Sequence, residues 1–152
     1  MNNFAEQYGA ATKEFIDLVD SLSESQLDNS DSEGWSPRQV IHHMADSEAQ
    51  SYARLRRLVA EPSSIIQGYD EGKWAENSTL GYKELPIDNS LAVIKSVRRS
   101  SLELIRRLDE RQLDNSGTHT ELGNYSIRNW LETYIKHPKD HSDQIRNQVS
   151  TR

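Results

Sequence analysis

Four stretches of the chain repeat apolar residues at three- and four-residue steps, the spacing that gathers side chains on one stripe of an α-helix. The first runs through Phe4, Tyr8, Ala11, Phe15, Leu18, Val19 and Leu22. The second, through Val40, Met44, Ser47, Ser51, Leu55 and Leu58, follows Ser36-Pro37. There a hydroxyl can cap the helix, and a proline at the first helical position loses no hydrogen bond. A third stripe, Leu91, Ile94, Val97, Ser101, Leu104, Ile105 and Leu108, starts after a cap at Asp88 or Asn89. The fourth follows Ser126 through Ile127, Trp130, Leu131, Tyr134, Ile135, His141, Ile145 and Val149. These patterns predict helices near residues 3–24, 36–60, 89–110 and 126–149, an all-α four-helix bundle with no sheet of three or more strands.

The chain also repeats itself. Leu22-Ser23-Glu24-Ser25-Gln26-Leu27-Asp28-Asn29-Ser30 returns as Leu108-Asp109-Glu110-Arg111-Gln112-Leu113-Asp114-Asn115-Ser116, and Trp35-Ser36-Pro37-Arg38 as Tyr125-Ser126-Ile127-Arg128. Two helical hairpins related by an approximate two-fold axis are therefore expected. They are joined by a long crossover from about Glu61 to Asp88, in which Tyr69 to Ala75 can form one short helix.

Composition narrows the setting. A length of 152 residues fits one domain, expected to span 1–152, and 34% apolar content is enough to line a bundle. The formal charge of −6 disfavours a nucleic-acid surface. The pairs Arg56-Arg57, Arg98-Arg99 and Arg106-Arg107, each beside acidic residues, read as solvated helix faces. No apolar run reaches the roughly 20 residues of a membrane span, and the amino terminus lacks the pattern of a secretion signal, so a cytoplasmic location is expected. With no cysteine the chain has neither disulfides nor a thiolate of its own.

Chemistry then rests on the five histidines. His137 and His141 stand four residues apart, so on a helix both imidazoles project from one face, a spacing that suits two bonds to one ion. On a helical wheel His141 falls inside the apolar stripe and His137 at its edge, beside Trp130 and Tyr134. In the second helix His43 sits at the stripe margin and His42 nearly opposite. His43 is thus the better third ligand, although a core histidine bonded to a backbone carbonyl fits the same position. His119, in a Ser-, Gly- and Thr-rich turn, reads as an exposed loop residue. Three imidazoles would make a neutral site with positions open to water, as in catalytic zinc centres, and nickel, zinc and ferrous iron all accept such ligands. Asp46, Glu48, Asp140 and Asp143 are near enough in sequence to orient the imidazoles through their second nitrogens. Pro138, inside the last helix, frees the carbonyl of Tyr134 and predicts a kink between the two ligands.

The stretches GWSPRQVIHHMADSE, YDEGKWAE and HPKDHSDQI, in this order, resemble the YfiT-like branch of the DinB superfamily over about Leu22 to Ile145. The resemblance implies a four-helix bundle holding one divalent metal ion through His43, His137 and His141. Members commonly have a histidine where this chain has Asp140. It further implies an enzyme acting on a small molecule, commonly as a homodimer. The chemistry is either thiol-dependent S-transfer with a low-molecular-weight thiol as cosubstrate, the slightly preferred expectation, or hydrolysis with Glu48 or Asp140 as general base. A metal-binding stress or regulatory protein without turnover is the alternative. An aromatic cavity beside the ion, with Tyr69, Asp70, Trp74 and Tyr134 in its wall, is expected for the enzyme.

Overall fold

Two of the long helices begin where a side chain takes over backbone donors that the first turn leaves unpaired. The computed structural model describes residues 3–30 and 34–150, so the ends of the expected domain and residues 31–33 lie outside the described part. The long helices are α1 (Phe4–Asp20), α2 (Pro37–Ala60), α4 (Asp88–Ile105) and α5 (Ile127–Ser150), with a short α3 (Glu71–Glu76) in the crossover. At the start of α2, Ser36 Oγ accepts from the Gln39 N–H and the Gln39 side chain accepts from the Ser36 N–H. The Asp70 carboxylate caps α3, which confirms the short helix expected there. In contrast, α1 and α4 have no side-chain cap.

The repeated segments form matching turns. Ser23 with Gln26 caps a 3₁₀ turn over Glu24–Asp28, and Asp109 with Gln112 caps another over Glu110–Asp114. These caps correct two boundaries: α1 ends at Asp20 rather than near residue 24, and α4 at Ile105 rather than 110. A cap side chain draws the backbone N–H away from the helical ladder, so each helix stops before it.

The two halves interlock. α1 packs against α4 and α5, and α2 packs against α4 and α5, whereas the helices within a half lie across the bundle from each other. The two units are therefore not side-by-side hairpins, and neither half covers its apolar stripe alone.

A three-stranded sheet corrects the expectation of a chain without one. β1 (Ile65–Ile66) runs parallel to β2 (Ser116–His119), which pairs antiparallel with β3 (Gly123–Ser126). It forms from the two long loops and leaves the helices intact. Gly117 is needed there, because a Cβ at this position would lie 2.3 Å from the Ser64 carbonyl oxygen. The sheet thereby ties the crossover to the loop before α5.

The core divides into two apolar clusters. One gathers around Tyr8, Leu55, Leu58, Leu113 and Trp130; the other around Phe15, Val40, Ile41, Met44, Ile94 and Ile145. Buried polar residues, among them Ser47, Glu48, Ser51, Arg98 and Ser101, come from the middle of the helices. No described helix is long and apolar enough to cross a membrane.

Candidate metal centre

Three imidazoles meet in the bundle interior. α2 supplies His43, 1% exposed, and α5 supplies His137 and His141 from successive turns. His137 Nε2 lies 3.2 Å from His43 Nε2 and 2.9 Å from His141 Nε2, and the three ligand nitrogens fall within 4.8 Å of one another. Nitrogens bound at about 2.0–2.1 Å to a common tetrahedral ion stand roughly 3.3 Å apart, so the spacing fits a metal. Charge fits as well. Burial is the main cause that lowers all three imidazole pKa values, His43 to about 4, with repulsion from His141 adding for both His43 and His137. All three are neutral at pH 7, the form that donates a lone pair to a metal.

One contact fixes a tautomer. His141 Nδ1 lies 2.7 Å from Gln144 Oε1, which can only accept, so Nδ1 carries the proton and Nε2 presents its lone pair. Nδ1 of His43 and of His137 are buried without hydrogen-bond partners among the described residues. The carboxylates expected to orient the imidazoles are engaged elsewhere: Asp46 with Tyr82, Glu48 with Arg98, Asp140 with Lys136 and Asp143 with Arg146.

Glu48 and Arg98 form the most buried ion pair among those described, 2.6 Å apart with side chains 0% and 1% exposed. Removing two charges from water costs several kcal/mol each, which only a well-satisfied geometry offsets. Arg98 is well satisfied. Besides Glu48, it donates to Thr12 Oγ1 at 2.6 Å and to the Tyr134 carbonyl at 3.0 Å, and it lies over the Tyr8 ring. The Tyr134 carbonyl is the one that Pro138 deprives of its helical partner, so this arginine repairs the break while α5 continues from Ile127 to Ser150. Ser51 Oγ donates to the other Glu48 oxygen at 3.0 Å.

A cavity of about 200 Å³ opens beside His137. Tyr134 lines it from α5, Arg54 and Ser47 from α2, Tyr69 from the crossover, and His119 and Tyr125 from the sheet. Tyr69 and Tyr134 thus stand in the wall as expected. Trp74 packs behind Tyr69, with ring centres 4.6 Å apart, and Asp70 serves as the α3 cap. Burial raises the pKa of both tyrosine hydroxyls, so both stay protonated.

A comparison of the whole chain gives the family. Residues 7–145 match the family model described as the DinB superfamily. This chain belongs to the DinB superfamily. It is 39% identical to a protein of Oceanobacillus iheyensis over 84% of this chain and 73% of that one, and 32% identical to a protein of Bacillus cereus over 87% and 75%. Both carry the name "putative metal-dependent hydrolase". Among solved structures it resembles YfiT of Bacillus subtilis, described as a probable metal-dependent hydrolase with an unusual four-helix bundle topology. The TM-score is 0.87 at 26% identity, over 98% of this chain and 85% of that one. A mycothiol-dependent maleylpyruvate isomerase shares the fold alone, with TM-score 0.74 and 12% identity, over 94% of this chain and 59% of that one.

Within this DinB chain the helical-wheel separation of neighbouring histidines agrees with the structure. His43 joins the cluster and His42 does not: its Nε2 donates to the Leu85 carbonyl at 2.9 Å, and its Nδ1 faces Ser90 Oγ at 2.7 Å. His42 is nonetheless buried, at 5% exposure, because the crossover folds over that face of α2. His119 corrects its expectation more sharply. It is 6% exposed on β2, and its Nδ1 accepts from the Glu121 and Leu122 N–H groups, so the supposed loop residue belongs to the cavity wall. Glu48 and Asp140, the two expected bases, are not in the three-imidazole cluster. The first has both oxygens engaged, and the second is half exposed. Arg54 and Arg98 were missed. Arg98 could have been found, since it continues the stripe of Ile94, Ser101 and Ile105 in α4.

Proposed function

We propose that this DinB protein is a metal-dependent hydrolase, with one divalent ion held by His43, His137 and His141 and a small-molecule substrate entering the adjacent cavity. The observation that carries this reading is the convergence of three neutral imidazole Nε2 atoms beside a cavity lined by polar side chains. The names of the relatives from Oceanobacillus iheyensis and Bacillus cereus support the reaction class. When bound, such an ion supplies an acidified water or polarises a substrate oxygen. Imidazole ligands suit zinc, nickel and ferrous iron alike.

The chain's own residues do the rest. The imidazoles come from two helices that pack together, so the ligand set is assembled by folding. Gln144 holds His141 in the ligating tautomer. Arg98 secures α5 at the turn just before His137, so that Pro138 does not loosen the pair. S-transfer with a diffusible thiol would use the same centre, but the phenol and guanidinium groups facing the cavity favour an oxygen-bearing substrate.

The test is a chelator-stripped protein reloaded with zinc, nickel or ferrous iron and assayed on a panel of small esters and amides. A parallel panel contains thiols with an electrophile. Ester or amide cleavage should appear only on reloading and vanish in His141→Ala. Equal cleavage by stripped and loaded protein would refute the reading. Conjugation without cleavage would make the protein a transferase, and metal uptake without either would make it non-catalytic.

A further inference from the structure

Buried phenol hydroxyls normally find an acceptor. Two in the cavity beside His137 do not. The Tyr69 hydroxyl is shielded from water and makes no hydrogen bond of ordinary geometry among the described residues; Ser47 is near enough to ease its ionisation but is not placed to satisfy it. The Tyr134 hydroxyl oxygen accepts from Arg54 Nη1 at 3.2 Å, which turns its own hydrogen away from the guanidinium. Arg54 is held in turn by the Gln67 carbonyl at 2.7 Å. Two unused O–H donors from separate elements, α5 and the crossover, therefore line one small cavity, with a fixed cation behind one of them.

We propose that the cavity binds the carbonyl oxygen of a neutral acyl compound, an ester or an amide, between the hydroxyls of Tyr69 and Tyr134. This deepens the hydrolase reading and rests on it for function. Two donors match the two lone pairs of a carbonyl oxygen, and they strengthen as that oxygen gains negative charge during attack on its carbon. Arg54 donates to Tyr134 and so polarises its O–H bond. The carboxylates of Glu71 and Glu121 line the same cavity and offset the arginine charge, which favours a neutral carbonyl over a carboxylate or phosphate. The volume of about 200 Å³ admits a group of a few heavy atoms around the bond to be cleaved.

The experiment uses acetamide as probe and protein labelled at the hydroxyl-bearing ring carbon of tyrosine. Of the six tyrosines, Tyr69 and Tyr134 should show saturable shifts with acetamide, in metal-free and metal-loaded protein, while exposed Tyr52 stays still. Tyr69→Phe and Tyr134→Phe should each weaken binding about fivefold and the double variant more than tenfold, with Tyr52→Phe unchanged. Shifts in the unsubstituted protein remain decisive if a variant does not fold. Absent saturation, shifts shared with Tyr52, unchanged affinity in the double variant, or acetate binding more tightly than acetamide would each overturn the proposal. Metal uptake is measured separately on the same samples. A failed hydrolase reading then appears as missing metal or, in loaded protein, as missing ester and amide cleavage, and a failed pocket as missing shifts.

Discussion

At the start of α2, Arg38 reaches back to Asp28 at 2.8 Å; at the start of α5, Arg128 reaches back to Asp114 at 3.7 Å. The contact is the same and its surroundings differ. Arg38 is nearly buried, also bonded to Glu24 and to the Leu85 carbonyl, because the crossover closes over it, whereas the Arg128 side chain is 39% exposed. Laying Ser36 on Ser126 extends the comparison along the helices. Ser47 falls on His137 and Ser51 on His141, while His43 falls on Thr133. The two halves therefore agree in the caps and ion pairs that end their helices and differ where the imidazoles stand. Glu48 falls on Pro138, so the Arg98 pair and the break that it repairs occupy matching levels of the two halves. The repeated segments supply the frame, and the imidazoles stand where the two copies differ.

The largest effect should come from the diverged positions. His137→Ala or His141→Ala should weaken metal affinity by about a hundredfold or more, while His42→Ala leaves it unchanged, as read by competition with a chromogenic chelator. Equal losses from His42→Ala would break the assignment. Because burial lowers the imidazole pKa values, protons compete poorly, and the protein should keep its metal as pH falls below 6.5 toward the value of about 4 for His43. Loss already complete at pH 6.5 would contradict that shift. Next is the buried pair: Arg98→Met should cost about 3–5 kcal/mol in urea unfolding, since it strands Glu48 and the Tyr134 carbonyl. Arg98→Met combined with Glu48→Met should cost less than Arg98→Met alone.

Smaller effects sharpen the contrast between the halves. Arg38→Met should cost about 1–2 kcal/mol and Arg128→Met no more than about 1 kcal/mol, since only Arg38 is itself buried and gathers two carboxylates and the Leu85 carbonyl. Equal costs would show that the crossover adds nothing at Arg38. Smallest, and alike in the two halves, are the caps. Ser36→Ala and Ser126→Ala should each cost about 1 kcal/mol, by the same unfolding measurement.

The helices, their order, the repeat and the three converging histidines were legible because periodicity, caps and i, i+4 spacing are local signals. What escaped depends on contacts between distant segments. β1 has two residues, and its pairing with β2 is a loop-to-loop contact without an alternating pattern to announce it. His119 looked exposed because its own neighbours are polar, and pairing with β1 and packing on Tyr125 bury it. Glu48 read as a base for the same reason: its partner lies 50 residues away on another helix. Arg98 is the instructive miss, since its place on the α4 stripe was visible and its charge alone argued for solvent.

X-ray absorption fine structure of the zinc-loaded protein, compared with His137→Ala, addresses the metal centre most directly. Three imidazole nitrogens at about 2.0–2.1 Å with at least one further oxygen are expected in the unsubstituted protein, and fewer imidazoles in the variant. A zinc environment of carboxylate oxygens with at most one imidazole, or one that His137→Ala leaves unchanged, would contradict the three-histidine centre.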